Sequence, residues 1–322
     1  MAMRNQLRDV IRMLFVVLLV VALIFLASAI FMSSKSHNDF TIQKLRFTQG
    51  RKVIPYGQPF ARCLTKRQEE VEQVIRNMET KERSSAFEKI FAEDYWGGGE
   101  SRSGPGSRRD YTENVRKLIA LALKTYGVQE LLDAPCGDVN WQPLIPGFGS
   151  IKYTGFDIVP ALIDRNRVTF KDRPNMTFVR VDFTNTPVAD MVHPDLIVCR
   201  DAIQHNTLKD GLRGLINLEN TGAKYIITNW HSPSRPNKNI NFGGFYPIDI
   251  FTPPFNFSHP EMFISEGVGG VNSDGKFAGL WKLPALLKGD GKPFMLPLSL
   301  ITKARKGVVT RAELQEEGLG VS

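Results

Sequence analysis

The chain has 322 residues, 42% hydrophobic, 10% aromatic and 23% charged, with 27 glycines and 19 prolines. That composition excludes a disordered, collagenous or low-complexity chain and allows one large core. The formal charge of +8 is scattered, with clusters at Arg102, Arg108 and Arg109 and at Lys303, Arg305 and Lys306. No nucleic-acid-binding motif stands beside them, so they read as solvated basic faces and no nucleic-acid partner is expected. Cys63, Cys136 and Cys199 lack the spacing of a zinc site and are too few for a disulfide framework. They read as buried thiols.

The first element is residues 13–32, MLFVVLLVVALIFLASAIFM, which carries no charge. A helix of about 20 residues rises roughly 30 Å, the thickness of a bilayer's hydrocarbon core. The sequence therefore predicts a single-pass transmembrane anchor. Ala27-Ser28-Ala29 resembles a signal-peptidase site, but the apolar run continues beyond it, which favours an uncleaved anchor. Arg4, Arg8 and Arg12 precede the span and only Lys35 follows closely, which puts residues 1–12 in the cytosol. Lys44, Arg46, Arg51 and Lys52 lie further on and weaken that asymmetry. This layout resembles that of Golgi glycan-modifying enzymes and implies a type II protein of the Golgi or endoplasmic reticulum with a luminal catalytic domain.

Residues 33–59 read as a polar stalk. Residues 60–128 read as a helical cap with a glycine-rich lid. In the cap, Val71, Val74, Ile75 and Met78, then Phe87, Ile90 and Phe91, recur at helical spacing, as two helices or one broken one. YWGGGESRSGPGSRRD follows, with the composition of a linker. Residues 111–127 then form an amphipathic helix with Gly127 as a plausible C-cap.

From residue 129 the pattern alternates. Buried parallel strands are expected at 130–134, 152–158, 176–182, 195–200 and 223–230, with helices at 159–170 and about 204–219. Strand-helix repetition predicts a Rossmann-like doubly wound, mostly parallel α/β sheet over 129–300, with 301–322 a C-terminal tail. Such sheets bind ligands beyond the C-terminal ends of their strands. Four successive strands present an acid there: Asp133, Asp157, Asp182 and Asp201. Asp157 stands 20 residues after Gly137, the offset at which an acid can take both ribose hydroxyls. Asp182 can accept from an adenine amino group, and Asp133 and Asp201 can neutralise an ammonium or sulfonium. The first strand is followed by neither GxGxxG nor a P-loop, which argues against dinucleotides and nucleoside triphosphates.

LLDAPCGDVNW, GFDIVPALIDRN, VRVDF and DLIVCRDAIQH, in that order, resemble a class I S-adenosylmethionine-dependent methyltransferase, over about residues 90–285. The resemblance implies that S-adenosylmethionine is the cofactor. It places Asp133, Cys136 and Gly137 on the methionine portion, Asp157 on the ribose, Ile158, Asp182 and Phe183 around the adenine, and Arg200 with Asp201 at the methionine side. Trp141 either walls the pocket or is a core aromatic. Pro135, Cys136 and Asp138 depart from the commoner glycine-rich first motif. The glycine stretch falls where such enzymes place a cap, so Trp96, Ser101, Arg102 and Gly104 are expected to order over the methionine end when cofactor binds, Arg102 reaching its carboxylate.

Candidate bases for a hydroxyl acceptor are His205, four residues after Asp201 and one turn along, then Asp201, then His231. No ligand cluster for a metal is evident. The segment after the fifth strand carries Phe242, Phe245, Tyr246, Phe251, Phe255 and Phe257, which suit sugar rings or a packed loop. Asn175 and Asn256 begin glycosylation sequons, relevant only in a lumen. The expected reaction is O-methylation of a hydroxyl of a glycan or glycoconjugate in the secretory pathway, so the expected partner is a glycan or small-molecule acceptor. A cytosol-facing lipid or small-molecule methyltransferase, and a catalytically degenerate tethered binding protein, are the alternatives.

Overall fold

The computed structural model of the protein describes residues 66–97, 99–232, 235–267 and 275–319. The expected tail 1–12, span 13–32 and stalk 33–59 lie outside them, as does Cys63. Among the described residues, no helix is long and apolar enough to cross a membrane.

The cap begins with one unbroken helix, α1 (Lys66–Glu93). Its first apolar group is not a core face: Val71, Val74, Ile75 and Met78 are exposed. The helix is held by charge further along. Buried Arg83 forms ion pairs with Asp182 and Asp210, and Glu79 pairs with Lys209 and Arg213. Truncating Arg83 would leave the buried Asp182 carboxylate without its cation, while Asp210 keeps Arg213, and breaking such a buried pair costs about 3–5 kcal/mol. Arg83→Ala is therefore expected to lower the melting temperature by roughly 6–12 °C. A shift under 2 °C in differential scanning fluorimetry would show that α1 docks by other means.

The next helix, α2 (Glu113–Tyr126), follows the amphipathic rule. Val115, Leu118, Ile119, Ala122 and Leu123 are buried at i, i+3, i+4, i+7 and i+8. It stops at Gly127, whose left-handed φ of 62° lets its N–H close on Leu123 O.

The sheet comprises β1 (Glu130–Asp133), β2 (Lys152–Asp157), β3 (Met176–Arg180), β4 (Leu196–Cys199), β5 (Tyr225–His231), β6 (Met262–Ser265), β7 (Lys276–Lys282) and β8 (Val309–Thr310), in the order β3-β2-β1-β4-β5-β7-β6-β8. Strands β1 to β5 pair in parallel. The other three pair antiparallel, β7 against β5 and β6, and β8 against β6. The order turns outward in opposite directions from β1 and β4, so the Rossmann-like switch point lies between them. Helix α3 (Pro160–Thr169) follows β2, and α4 (Leu208–Glu219) follows β4. The N-cap Thr207 of α4 accepts from Asp210 N–H.

The expected tail is corrected. Helix α5 (Leu298–Lys306), strand β8 and α6 (Arg311–Glu316) belong to the domain: Leu300, Ala304, Val309 and Leu314 are fully buried. Their apolar side chains close the antiparallel edge, which an exposed tail would leave open to water. The loop aromatics also separate. Tyr246, Phe251, Phe255 and Phe257 are core residues, packed with Trp230 and Trp281, whereas Phe245 is 57% exposed.

Candidate active site

A cavity with about 960 Å³ of empty space, including its mouth, opens at the C-terminal ends of β1, β2 and β4. Trp96, Arg102, Asp133, Cys136, Gly137, Trp141, Asp157, Ile158, Asp182, Phe183, Arg200, Asp201 and His205 all line it. Ser101 and Gly104 do not. Ser101 is buried beneath the lid on Asp138, and Gly104 lines an adjoining cleft. The α1 residues Arg83, Phe87, Ile90 and Phe91 form a wall that local sequence patterns missed.

Asp157 ends β2 with its carboxylate pinned. Gly137 N–H donates to Oδ2 at 3.2 Å and Val159 N–H to Oδ1 at 3.0 Å. A carboxylate has about four acceptor positions, so each oxygen keeps room for a ligand hydroxyl. Burial pushes its pKa up to about 6. Asp133, at the end of β1, takes Gln142 Nε2 at 2.7 Å and Tyr153 O–H at 2.8 Å, both on Oδ2. Burial pushes it up to about 7, against those hydrogen bonds. A buried acid this costly to ionise favours a cationic neighbour.

Asp182 corrects an expectation. Its Oδ1 accepts from Thr184 N–H and O–H, and its Oδ2 from Thr80 O–H and Arg83. All four acceptor positions are filled, so it cannot also take an adenine amino group. Asp182 instead docks α1 against β3.

Asp201 sits at φ 52°, a left-handed conformation uncommon outside glycine. Asn229 Oδ1 holds its N–H at 2.8 Å. Its carboxylate meets Arg200 at 3.0 Å and Lys276 at 2.7 Å. Glu266, 2% exposed, binds the same two cations. Burial would raise the Asp201 pKa, but the charges of Arg200 and Lys276 outweigh it and hold the carboxyl far below the usual range. A carboxylate so stabilised is a poor proton acceptor, which removes Asp201 as a competitor to His205. Arg200 is likewise committed: it pairs with Glu266 and donates to Gly106 O at 2.8 Å.

His205 lies on a short 3-10 turn, Ile203–His205, rather than on the expected α-helix. Its ring lies 4.8 Å from Trp96 and 5.8 Å from Phe245 between centroids. Nδ1 is 2.6 Å from Gly244 O. A carbonyl only accepts, so Nδ1 carries the proton in the neutral ring and Nε2 keeps its lone pair. Burial lowers the pKa of His205, leaving it neutral at physiological pH. His231, pushed down to about 4 mainly by burial and then by Lys276, borders the adjoining cleft and not the cavity.

The described residues of the glycine stretch make protein contacts of their own. Asp138 accepts from Ser101 O–H, Arg102 N–H and Ser103 O–H. Trp96 Nε1 donates to Gly243 O at 3.3 Å. A Cβ on Gly106 would sit 2.6 Å from Asp201 Oδ2, so only glycine permits this approach. Arg102 is exposed, over the Phe91 ring and bonded to Phe91 O.

No family model matches the chain, and no curated protein matches it. Solved structures similar to it include the methyltransferase domain of bacterial CtHen1 (14% identity, 54% of this chain and 100% of that one, TM-score 0.40). Others are the N-methyltransferase NodS from Bradyrhizobium japonicum WM9 with S-adenosyl-L-homocysteine (18%, 46% and 72%, 0.36) and the PH0226 protein from Pyrococcus horikoshii OT3 (16%, 55% and 92%, 0.40). Likenesses this shallow leave activity to be argued from the site.

Proposed function

We propose that this protein is a methyltransferase that uses S-adenosylmethionine to methylate an acceptor hydroxyl. One observation carries the reading: a single cavity sets the buried Asp133, both of whose hydrogen bonds fall on Oδ2, the half-satisfied Asp157 and the neutral His205 at the ends of adjacent parallel strands. A nucleoside-linked sulfonium fits these groups. Asp157 would hold the ribose, Asp133 would face the positive charge, and Ile158 and Phe183 would flank the base. When bound, S-adenosylmethionine supplies a methyl group already activated by its sulfonium. The protein then has to align the acceptor and exclude water, which contributes up to about 7–11 kcal/mol, and to receive a proton. The Trp96 lid and the α1 wall exclude water. His205 Nε2 is the group free to take the proton.

The acceptor we favour is a hydroxyl of a glycan or glycoconjugate, with the domain luminal in the Golgi or endoplasmic reticulum. This rests on the apolar run 13–32 and the arginines before it. Protection of residues 66–319 from protease in intact microsomes tests it; digestion without detergent would place the domain in the cytosol.

Titration calorimetry with S-adenosylmethionine and S-adenosylhomocysteine tests the cofactor. Asp133 ionises as pH rises through about 7, and only the first ligand carries the sulfonium. The preference for S-adenosylmethionine over S-adenosylhomocysteine should therefore grow roughly three- to tenfold from pH 5.5 to pH 8. Absence of binding by either ligand would defeat the reading. A preference that fell with pH would defeat the placement of Asp133.

A further inference from the structure

A second cleft, with about 1600 Å³ of empty space, adjoins the cofactor cavity and shares Trp96, Ser103, Asp201 and His205 with it. Both are lined by His205, so a group bound there lies beside the candidate base. We propose that this cleft is the acceptor site and that Phe245 is the platform on which an uncharged pyranose ring of the acceptor lies. The inference rests on the methyltransferase reading and adds the acceptor's seat and the residue that supports its ring.

Three observations lead to it. Of the six aromatics in the long loop after β5, Phe245 alone is exposed; Tyr246, Phe251, Phe255 and Phe257 are buried and Phe242 is covered in part. An aromatic ring left in a concave, polar-edged site offers a negative face to the weakly positive C–H groups of a sugar ring. Next, Phe245 is flanked by two imidazoles, His205 and His231, each with its centroid 5.8 Å away. His231 Nδ1 is buried and has no hydrogen-bond partner among the described residues, so the imidazole stands beside Phe245 with an unspent polar atom. Both rings have lowered pKa values and are neutral near pH 7, so they present hydrogen-bonding groups without charge.

Last, the cleft's internal charges cancel. Lys276 is spent on Asp201 and Glu266 at 2.7 and 2.9 Å. Among the described residues, the exposed Arg235 is the remaining charge on the lining. Phosphate recognition usually draws on a fork of arginines or on oriented backbone N–H groups. One exposed arginine beside neutral imidazoles suits an uncharged polyol better.

The test is saturation-transfer NMR on the full-length chain saturated with S-adenosylhomocysteine. The probes are the methyl glycosides of glucose, galactose, mannose and fucose, hexose 6-phosphates and inorganic phosphate. At least one methyl glycoside should receive saturation at its ring C–H protons. Phe245→Ala should weaken it at least tenfold and Phe245→Trp should retain it, with S-adenosylhomocysteine affinity within twofold throughout. No transfer to any glycoside, or a Phe245→Ala variant that binds as the wild type does, overturns the proposal. So does binding confined to the phosphates and lost in Arg235→Ala. Failure of S-adenosylhomocysteine itself to bind strikes the cofactor reading and takes this proposal with it.

Discussion

Replacing Asp157 with alanine is expected to weaken S-adenosylhomocysteine binding by about 100-fold or more in titration calorimetry. Hydrogen bonds to a charged group contribute about 1.5–3 kcal/mol each, and the free acceptor positions of Asp157 can serve two ribose hydroxyls. Losing both removes at least about 3 kcal/mol, which corresponds to roughly two orders of magnitude in affinity. The empty protein should respond differently. Removing a carboxylate whose pKa burial has pushed up to about 6 relieves an unfavourable ionisation. It also deprives Gly137 and Val159 N–H of their acceptor. These effects oppose each other, so the melting temperature should move by only a few degrees while binding collapses. Asp157→Asn keeps the shape but turns a donor toward one of the two backbone N–H groups, so it should not rescue binding. An Asp157→Ala variant that binds within threefold of wild type would remove Asp157 from the cofactor site.

What could be read from the chain was what is local. Each of the first four strands is a short apolar run with an acid at or just past its end, so the positions of Asp133, Asp157 and Asp201 followed from period and spacing. What those acids do did not follow, because their partners come from far along the chain. Asp182 has the same local pattern as Asp157, yet Thr80 and Arg83, about 100 residues away, take the oxygen that Thr184 leaves open. Asp201 resembles a base until Lys276 and Arg200 are seen on it. Arg83 lies in a helix whose apolar stripe pointed elsewhere, and nothing near it marks a buried arginine. The C-terminal residues read as a tail because α5 and α6 are short and charged. Their few apolar side chains count only once β6 supplies an edge to cover. In the lid, the glycine stretch was legible by its position as a cap, but Asp138, which holds it, was legible only as a departure from a glycine-rich motif.

The last expectation concerns His205. Its Nδ1 is tied to Gly244 O and its ring is fixed between Trp96 and Phe245. The free Nε2 is therefore presented in one orientation by contacts from three segments. General-base catalysis typically contributes 10²–10⁴-fold. His205→Gln should lower kcat by about that factor, with the saccharide that binds in the NMR test as acceptor and labelled methyl transfer as readout. S-adenosylhomocysteine affinity should change little. The pH profile separates a base from a spacer. Burial lowers the His205 pKa, so the ring loses its proton at a pH lower than usual. Wild-type kcat should rise through that range and be flat by pH 7. In His205→Gln the low-pH limb should vanish and the residual rate should rise with hydroxide. Asp201→Asn gives the counter-test, because a base at Asp201 would leave the His205→Gln profile with its acidic limb intact. A kcat within fivefold of wild type in His205→Gln would end the case for His205. The same result with a raised acceptor KM would make it a binding group for the ring that Phe245 supports.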